Sequence, residues 1–369
     1  MATMKKFVLI IAVFITFYAL EILGSEPFKI KTITRNLQYP WGMVFIDDQT
    51  ALVTEKTGKI KQITLNTGKQ TTISGGPEVV VVGQGGLLDI VKHPLFDQNQ
   101  LLYFSYSKQI GQQNTTAVAK GQLHRNEIKN IHDILITNAT SQGGHHFGSR
   151  LAFDKNGLLY VTVGERADRK RAQLLGSHAG KVLRIRDNGA IPNNNPFINK
   201  ANAKPEIFTL GHRNPQGLVY DAESDRMWVH EHGPKGGDEV NLLKAGVNYG
   251  WPVITYGKEY SGFKITDKTH HPNMAQPAWQ WTPSIAPSGI LIITGPQFPE
   301  WRGDLLVGAL KFRLLSHLSM NQETVTSEKR YLKHLKERIR AIKMGPKGNI
   351  YLLTDSAKGR LIKLSPASK

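Results

Sequence analysis

The sequence predicts an all-β fold, a six-bladed β-propeller of four-stranded antiparallel blades. Two observations predict it. A short apolar strand that follows an Asp/Pro/Gly/Asn-rich turn recurs six times along the chain. Almost no amphipathic helical period separates the copies, and 35 glycines and 18 prolines favour turns and short strands over helices. Strands repeated in this way indicate radial β repetition, with one blade per copy.

The copies run in order. Ala51-Leu52-Val53-Thr54, Leu101-Leu102-Tyr103-Phe104 and Leu158-Leu159-Tyr160-Val161 come first. Arg226-Met227-Trp228-Val229, Asp304-Leu305-Leu306-Val307 and Asn349-Ile350-Tyr351-Leu352 follow. Most carry a second apolar run just upstream, as in Met43-Val44-Phe45-Ile46, Leu218-Val219-Tyr220 and Ile339-Arg340-Ala341-Ile342. The third residues of the copies lie 50, 57, 68, 78 and 45 residues apart. The uneven period places inserted loops in the middle blades, where function concentrates. A pair of β-sandwiches with similar turns is the alternative, but copies that span the whole chain favour the propeller.

The first residues read as a leader. Lys5 and Lys6 precede an apolar run from Phe7 to Leu20, and Gly24-Ser25 offers small residues at a cleavage point. The run is short for a membrane span, and Glu21 interrupts it. Residues 1–25 are therefore expected to be a secretory signal peptide and residues 26–369 a single propeller domain. The protein is expected to be periplasmic or secreted, with no stable membrane insertion after the leader is cleaved. The chain has no cysteine, which excludes disulfides, thiolate metal sites and covalent haem attachment. Its net charge is +18, from 47 basic and 29 acidic residues. Such a surface can bind nucleic acid, anionic membrane or an acidic small ligand. An exported chain rarely meets nucleic acid, so no such partner is expected. The basic residues are scattered, with short clusters at Arg166 to Arg171 and Lys333 to Arg340.

Polar clusters recur at or just beyond the blade strands. Gln84 sits among glycines in Val82-Gly83-Gln84-Gly85-Gly86, where an amide can bond a planar ligand. An ordinary glycine turn would look the same. Gly143-Gly144-His145-His146-Phe147-Gly148 places two imidazoles, the usual proton acceptors near neutral pH, in a glycine-rich turn. If the turn is locally extended, the two point to opposite faces and only one serves a given site. Glu165, in Gly164-Glu165-Arg166, can orient a histidine base or pair with Arg166. In Gly211-His212-Arg213-Asn214-Pro215-Gln216-Gly217, Arg213 offers a bidentate fork for a carboxylate. His230-Glu231-His232 lacks a standard zinc spacing. Carbonyls at Gly233 and Pro234, with Asp238 and Glu239 nearby, suit a hard cation such as calcium better.

Lys311 and Arg313 follow the fifth copy, and Arg338 and Arg340 are spaced to share one face of a strand. Together with Arg213 these cations imply a polyanionic ligand near the propeller axis. No nucleophile elbow, dinucleotide fingerprint or phosphate loop is present, so hydride transfer would need a cofactor other than a nicotinamide in a Rossmann unit.

Taken in order, these segments resemble the soluble quinoprotein glucose/sorbosone dehydrogenase family, most closely its aldose sugar dehydrogenase branch. Tyr39-Pro40-Trp41-Gly42-Met43, Asp238-Glu239-Val240-Asn241, Asn248-Tyr249-Gly250-Trp251-Pro252 and Arg338-Ile339-Arg340 complete the set. The resemblance covers essentially the whole chain after the leader. It implies a six-bladed propeller that binds pyrroloquinoline quinone (PQQ) and calcium and oxidises an aldose at its anomeric carbon to a lactone, passing electrons to an external acceptor. By motif position, His146 is the implied base and Glu165 its supporting acid. Gln84, Arg213, Asn214, Tyr260, Lys311, Arg338 and Arg340 fall at cofactor positions. Gly233 and Pro234 match carbonyls of a catalytic calcium, and Glu239 and Tyr249 match a second, structural calcium. His145 departs from the aspartate of the glucose dehydrogenase branch, which points to broader aldose use. Two other readings compete, a calcium-dependent lactone hydrolase and a non-enzymatic binding propeller. A neutral lactone needs no such array of basic residues, and a binding propeller leaves Gln84, His146, Arg213 and Arg340 without a shared purpose.

Overall fold

The computed structural model describes residues 26–367, so the expected leader lies outside the described residues. These residues form six four-stranded antiparallel sheets. Each sequence copy falls in the second strand of one blade: Thr50–Glu55, Leu101–Ile110, Leu158–Val163, Arg226–Glu231, Leu305–Ala309 and Ile350–Thr354. The inner strands are Pro40–Phe45, Leu87–Lys92, Leu151–Phe153, Pro215–Asp221, Pro287–Ile292 and Ile339–Met344. Each packs on the inner strand of the next blade, and the sixth returns to the first, so the sheets ring an axis.

Ring closure is non-local. Phe28–Leu37 pairs antiparallel with Gly359–Pro366, with Ile30 opposite Leu364, and becomes the outermost strand of the sixth blade. The core is divided among the blade interfaces. Leu52, Leu87 and Phe104 pack between the first two blades. Tyr103, Leu151 and Val161 pack between the next two, and Leu306, Leu352 and Ile362 between the last two. One face of each sheet meets the preceding blade and the other meets the following one. Second strands are therefore apolar on both faces, and all of Leu158–Val163 beyond its first residue is buried.

The heads of the inner strands set up the site. Five of the six carry a register shift near their start, as between Pro40 and Met43, Pro215 and Gly217, and Ile339 and Ala341. A bulge re-aims the residues it contains. Here Trp41, Leu88, Gln216 and Arg340 turn into the axial mouth. The displaced backbone is satisfied by hydroxyls that also join the blades. Thr54 Oγ1 accepts Gly42 N–H at 2.9 Å and donates to Leu88 O of the next blade at 2.5 Å. Ser105 accepts Asp89 N–H and donates to Ser149 O, and Thr162 accepts Arg150 N–H and donates to Pro215 O.

Replacing Thr54 with Val keeps the shape but leaves a buried N–H and a buried carbonyl unpartnered. That is expected to cost about 1–3 kcal/mol. It is read as a lower urea midpoint with an unchanged slope; an unchanged midpoint would show that the latch adds nothing.

Candidate active site

The loops ahead of the inner strands and those beyond the second strands open at one end of the ring. Gln84, His146, Asn214 and Arg338 lie on the first kind, and Glu165, His232 and Asp355 on the second. Two cavities open there. The axial one, ≈ 570 Å³, and a side cavity, ≈ 360 Å³, both have Gln84 in their walls.

His146 lines the side cavity. Its backbone is left-handed, at φ 52°, and its N–H donates to Gln84 Oε1 at 2.9 Å. Its Nδ1 lies 2.9 Å from Glu165 Oε1. The carboxylate accepts from Nδ1–H, which fixes the tautomer and leaves Nε2 free to accept a proton. Burial lowers the His146 pKa below 6.5; Glu165 opposes this, while Arg213 and His145 reinforce it. The imidazole is therefore neutral at pH 7. The extended geometry that would send His145 and His146 to opposite faces does not hold. The left-handed turn brings both rings to the side cavity, with centroids 6.2 Å apart.

The glycines of this region serve backbone packing. A Cβ on Gly144 would lie 2.8 Å from Gly83 Cα, and one on Gly164 would lie 2.0 Å from His146 O.

The axial cavity is cationic. Arg338 and Arg340 share one face, as their spacing predicts, and both donate to Asp355 Oδ2, at 2.8 and 3.1 Å. Ile339 between them is buried in the core. Lys56 adds a third cation, and Asp355 is the one carboxylate in the lining. Buried Nε–H groups of Arg340 and Arg213 have no protein partner. An unpaired buried guanidinium N–H is costly, so the site calls for an acceptor-rich ligand. Trp41 forms part of the wall, with the buried Arg150 guanidinium 3.9 Å from its ring centre. This donor set fits a planar polycarboxylate such as PQQ.

Not every expected cofactor residue meets this cavity. Asn214 does, but its Oδ1 is already held by Gly148 N–H and Gln216 Nε2. Arg213 and Tyr260 line the side cavity, and Tyr260 is 71% exposed. Lys311 is exposed and lines neither cavity; its ammonium lies over Phe312.

A third feature lies in blade four. Glu231 and Glu239 stand directly opposite on paired strands, an arrangement that like charges disfavour. Both line a void of ≈ 10 Å³, with Gly233, Gly237 and Thr255. That volume is the size of one small particle. Burial, then the Glu231 charge, raises the Glu239 pKa well above the carboxylate range. An oxygen-seeking cation would relieve both effects, so the residues fit calcium. Pro234 lines the side cavity, and its carbonyl accepts Lys258 N–H at 3.1 Å. Tyr249 reaches the void, but its hydroxyl is committed to Leu242 O and Lys244 N–H, and its ring stacks on His212. Its phenol oxygen is therefore not a free ligand. Among the described residues, no group of three or more His, Cys, Asp or Glu side chains is arranged to hold a metal. A cation here must draw on carbonyls.

Lys56, Asp355 and Glu231 escaped the sequence reading as site residues. The repeat held a signal for the first two. Glu55, Glu231 and Thr354 each pair with the residue that precedes a bulge. The next residues, Lys56, His232 and Asp355, all line the axial cavity.

The glucose/sorbosone dehydrogenase family model matches residues 37–363. Aldose sugar dehydrogenase YliI of Escherichia coli is 38% identical over 345 residues, covering 92% of this chain and 93% of the relative. The crystal structure of the soluble E. coli aldose sugar dehydrogenase in its apo form superposes with a TM-score of 0.89 at 36% identity, over 92% of this chain and all of that one. Quinoprotein glucose dehydrogenase B of Acinetobacter calcoaceticus is 29% identical over 320 residues, covering 78% of this chain and 65% of the relative. The axial cavity, the carboxylate-held histidine and these likenesses agree: the chain belongs to the glucose/sorbosone dehydrogenase family of oxidoreductases.

Proposed function

We propose that this protein oxidises aldose sugars at the anomeric carbon to lactones, with PQQ and calcium as cofactors and His146 as general base. One observation carries the reading. A neutral imidazole, held by a buried carboxylate, faces a cavity that shares the Gln84 wall with a cation-lined axial cavity. The Acinetobacter relative is a quinoprotein and the E. coli relative acts on aldose sugars, which supports the cofactor and substrate classes.

His146 Nε2 takes the proton of the C1 hydroxyl while hydrogen leaves C1 with its electron pair. Glu165 stabilises the imidazolium that forms. Gln84 holds the His146 backbone through its carbonyl and keeps its NH₂ for the ligand. Arg213, Asn214, Arg338 and Arg340 would hold the cofactor's carboxylates and carbonyls, Tyr260 would close the rim of the side cavity, and Lys311, outside both cavities, would add only its charge. When bound, PQQ supplies the two-electron acceptor and calcium the Lewis acid that polarises it. The Gly233 and Pro234 carbonyls would hold that calcium. Glu239 would hold a structural calcium, joined by the Tyr249 backbone and by Glu231, whose oxygens also meet His212 Nδ1 and Arg213 N–H. Each aldose yields a lactone, two electrons and two protons, and the electrons leave to an external acceptor. The leader-like sequence of residues 1–25 supports a site of action outside the cytoplasm.

The calcium- and quinone-free protein is expected to reduce a redox dye with aldoses only after both are added. Activity with neither, or none with both, would overturn the proposal. His146→Ala is expected to lower turnover by about 10²–10⁴-fold, while quinone titration by absorbance shows unchanged affinity. Wild-type kcat/KM should hold until the pH falls below 6.5, because burial lowers the His146 pKa.

A pH effect on stability follows from Glu239. Its folded pKa is raised above the ordinary value of 4.5, to about 8. The folded state therefore keeps a proton that the unfolded chain releases. The stabilisation is full below pH 4.5 and is lost as pH rises to about 8. Calcium-free protein should show a Tm that falls across this window. Calcium at a hundred times its Kd should raise stability by about 2.7 kcal/mol at the alkaline end. A pH-independent Tm in calorimetry would refute the assignment.

A further inference from the structure

We infer that Arg166, seconded by Arg171, is the positioning residue of the site: its guanidinium is an internal cation around which the loop bearing His146 is wrapped. The inference rests on His146 being the base. The sequence reads Arg166 to Arg171 as a short cluster on a basic surface, yet Arg166 is only 3% exposed. Among the described residues it forms no ion pair with a carboxylate. Its partners are carbonyls. Nε donates to Ala139 O at 3.2 Å, Nη2 to Gly143 O at 3.0 Å, and Nη1 to His145 O. Nη2 also donates to Asn114 Oδ1. Arg171 donates to Asn138 O and Thr140 O, both at 2.8 Å.

Five carbonyls between Asn138 and His145 thus converge on two guanidinium groups. The other backbone bonds of this loop run mostly outward, to Asn114, His178 and Gln84, and one stays local, from Gly143 N–H to Ser141 Oγ. The loop has little structure of its own, and the arginines supply it. Arg166 also fixes the far side of His146, because its Cζ lies 3.6 Å from the ring centre of Phe147. Phe147 in turn packs with Trp41 and Leu88 at the axis.

The residue before Arg166 is Glu165, which holds the imidazole. One turn therefore sends a carboxylate to the ring of His146 and a cation to the carbonyl of His145, just before it. Arg166 and Ala167 both adopt left-handed φ, near 60°, which folds the two side chains under and over the same loop. A third cation backs the arrangement. The fully buried Lys181 ammonium donates to the carbonyls of Arg171, Ala172 and Ala179 at 2.8–2.9 Å. A planar fork with five donors can span several carbonyls, and a lysine at 166 cannot.

The test uses the full-length chain. In calcium-loaded, quinone-free protein, the His146 Nδ1–H bonded to Glu165 should give a downfield proton resonance that disappears in His146→Ala. Arg166→Lys and Arg166→Ala should lose that resonance while unfolding cooperatively and binding quinone as the parent does. In the loaded protein, kcat should fall about a hundredfold, as a misplaced base predicts, with KM nearly unchanged. Added guanidinium should restore part of the activity to Arg166→Ala and none to Arg166→Lys.

A retained resonance with near-parental kcat in either variant would overturn the inference. If neither variant folds, Arg171→Met carries the test, because it removes two of the five carbonyl contacts. An unshifted resonance there would also overturn it. A wild-type protein that shows the resonance but oxidises no aldose would sink the proposed function alone.

Discussion

The site depends on the way each inner strand begins. A bulge at the head of a strand frees side chains to face the axis but strands backbone groups in a buried place. One hydroxyl on the neighbouring strand settles the account at each junction where it occurs. Thr54, Ser105 and Thr162 each accept from the displaced N–H and donate to the next blade. Shape at the mouth and cohesion between blades are thus one interaction. In blade four the latch position holds His230, whose ring lies over Gly217, and a Cβ there would lie 2.1 Å from Nε2. Loss of a latch would therefore disturb the mouth as well as stability.

Charge is housed in three different ways around the mouth. Arg338 and Arg340 share Asp355 and still leave the buried Arg340 Nε–H without a protein partner. Glu231 and Glu239 face each other across a void, with Glu231 already bonded to the His212 ring and Arg213 N–H and Glu239 holding its proton. Arg166 is neutralised by carbonyl dipoles alone. The first setting keeps an unpaired donor and the second two carboxyls forced together, while the third is complete. That difference separates groups that bind from a group that builds.

The blade plan was legible because its signal is local. An apolar strand behind a turn needs only its neighbours to be recognised, and all six copies fall in second strands. The shared face of Arg338 and Arg340 was legible for the same reason. What escaped was non-local or depended on sign of φ. The pairing of Phe28–Leu37 with Gly359–Pro366 joins segments more than three hundred residues apart. The left-handed His146 turns an alternating pair of rings into a convergent one. Glu231 was visible only as part of a failed zinc pattern, because its relation to Glu239 is a matter of strand register. Lys311 matched the resemblance by position but stands outside the cavity it was expected to line.

The strand that completes the sixth blade also sets an order of events. Phe28–Leu37 is made first and its partner Gly359–Pro366 last. For the whole of synthesis the early strand has no mate, and its free edge is open to pairing with another chain. The ring cannot shut until Gly359–Pro366 is made, so closure cannot precede it. A chain threaded through a membrane N-terminus first would deliver the waiting strand ahead of everything that hides it. Chaperoning of that one exposed edge, more than of any blade, would then govern how much protein reaches the closed form.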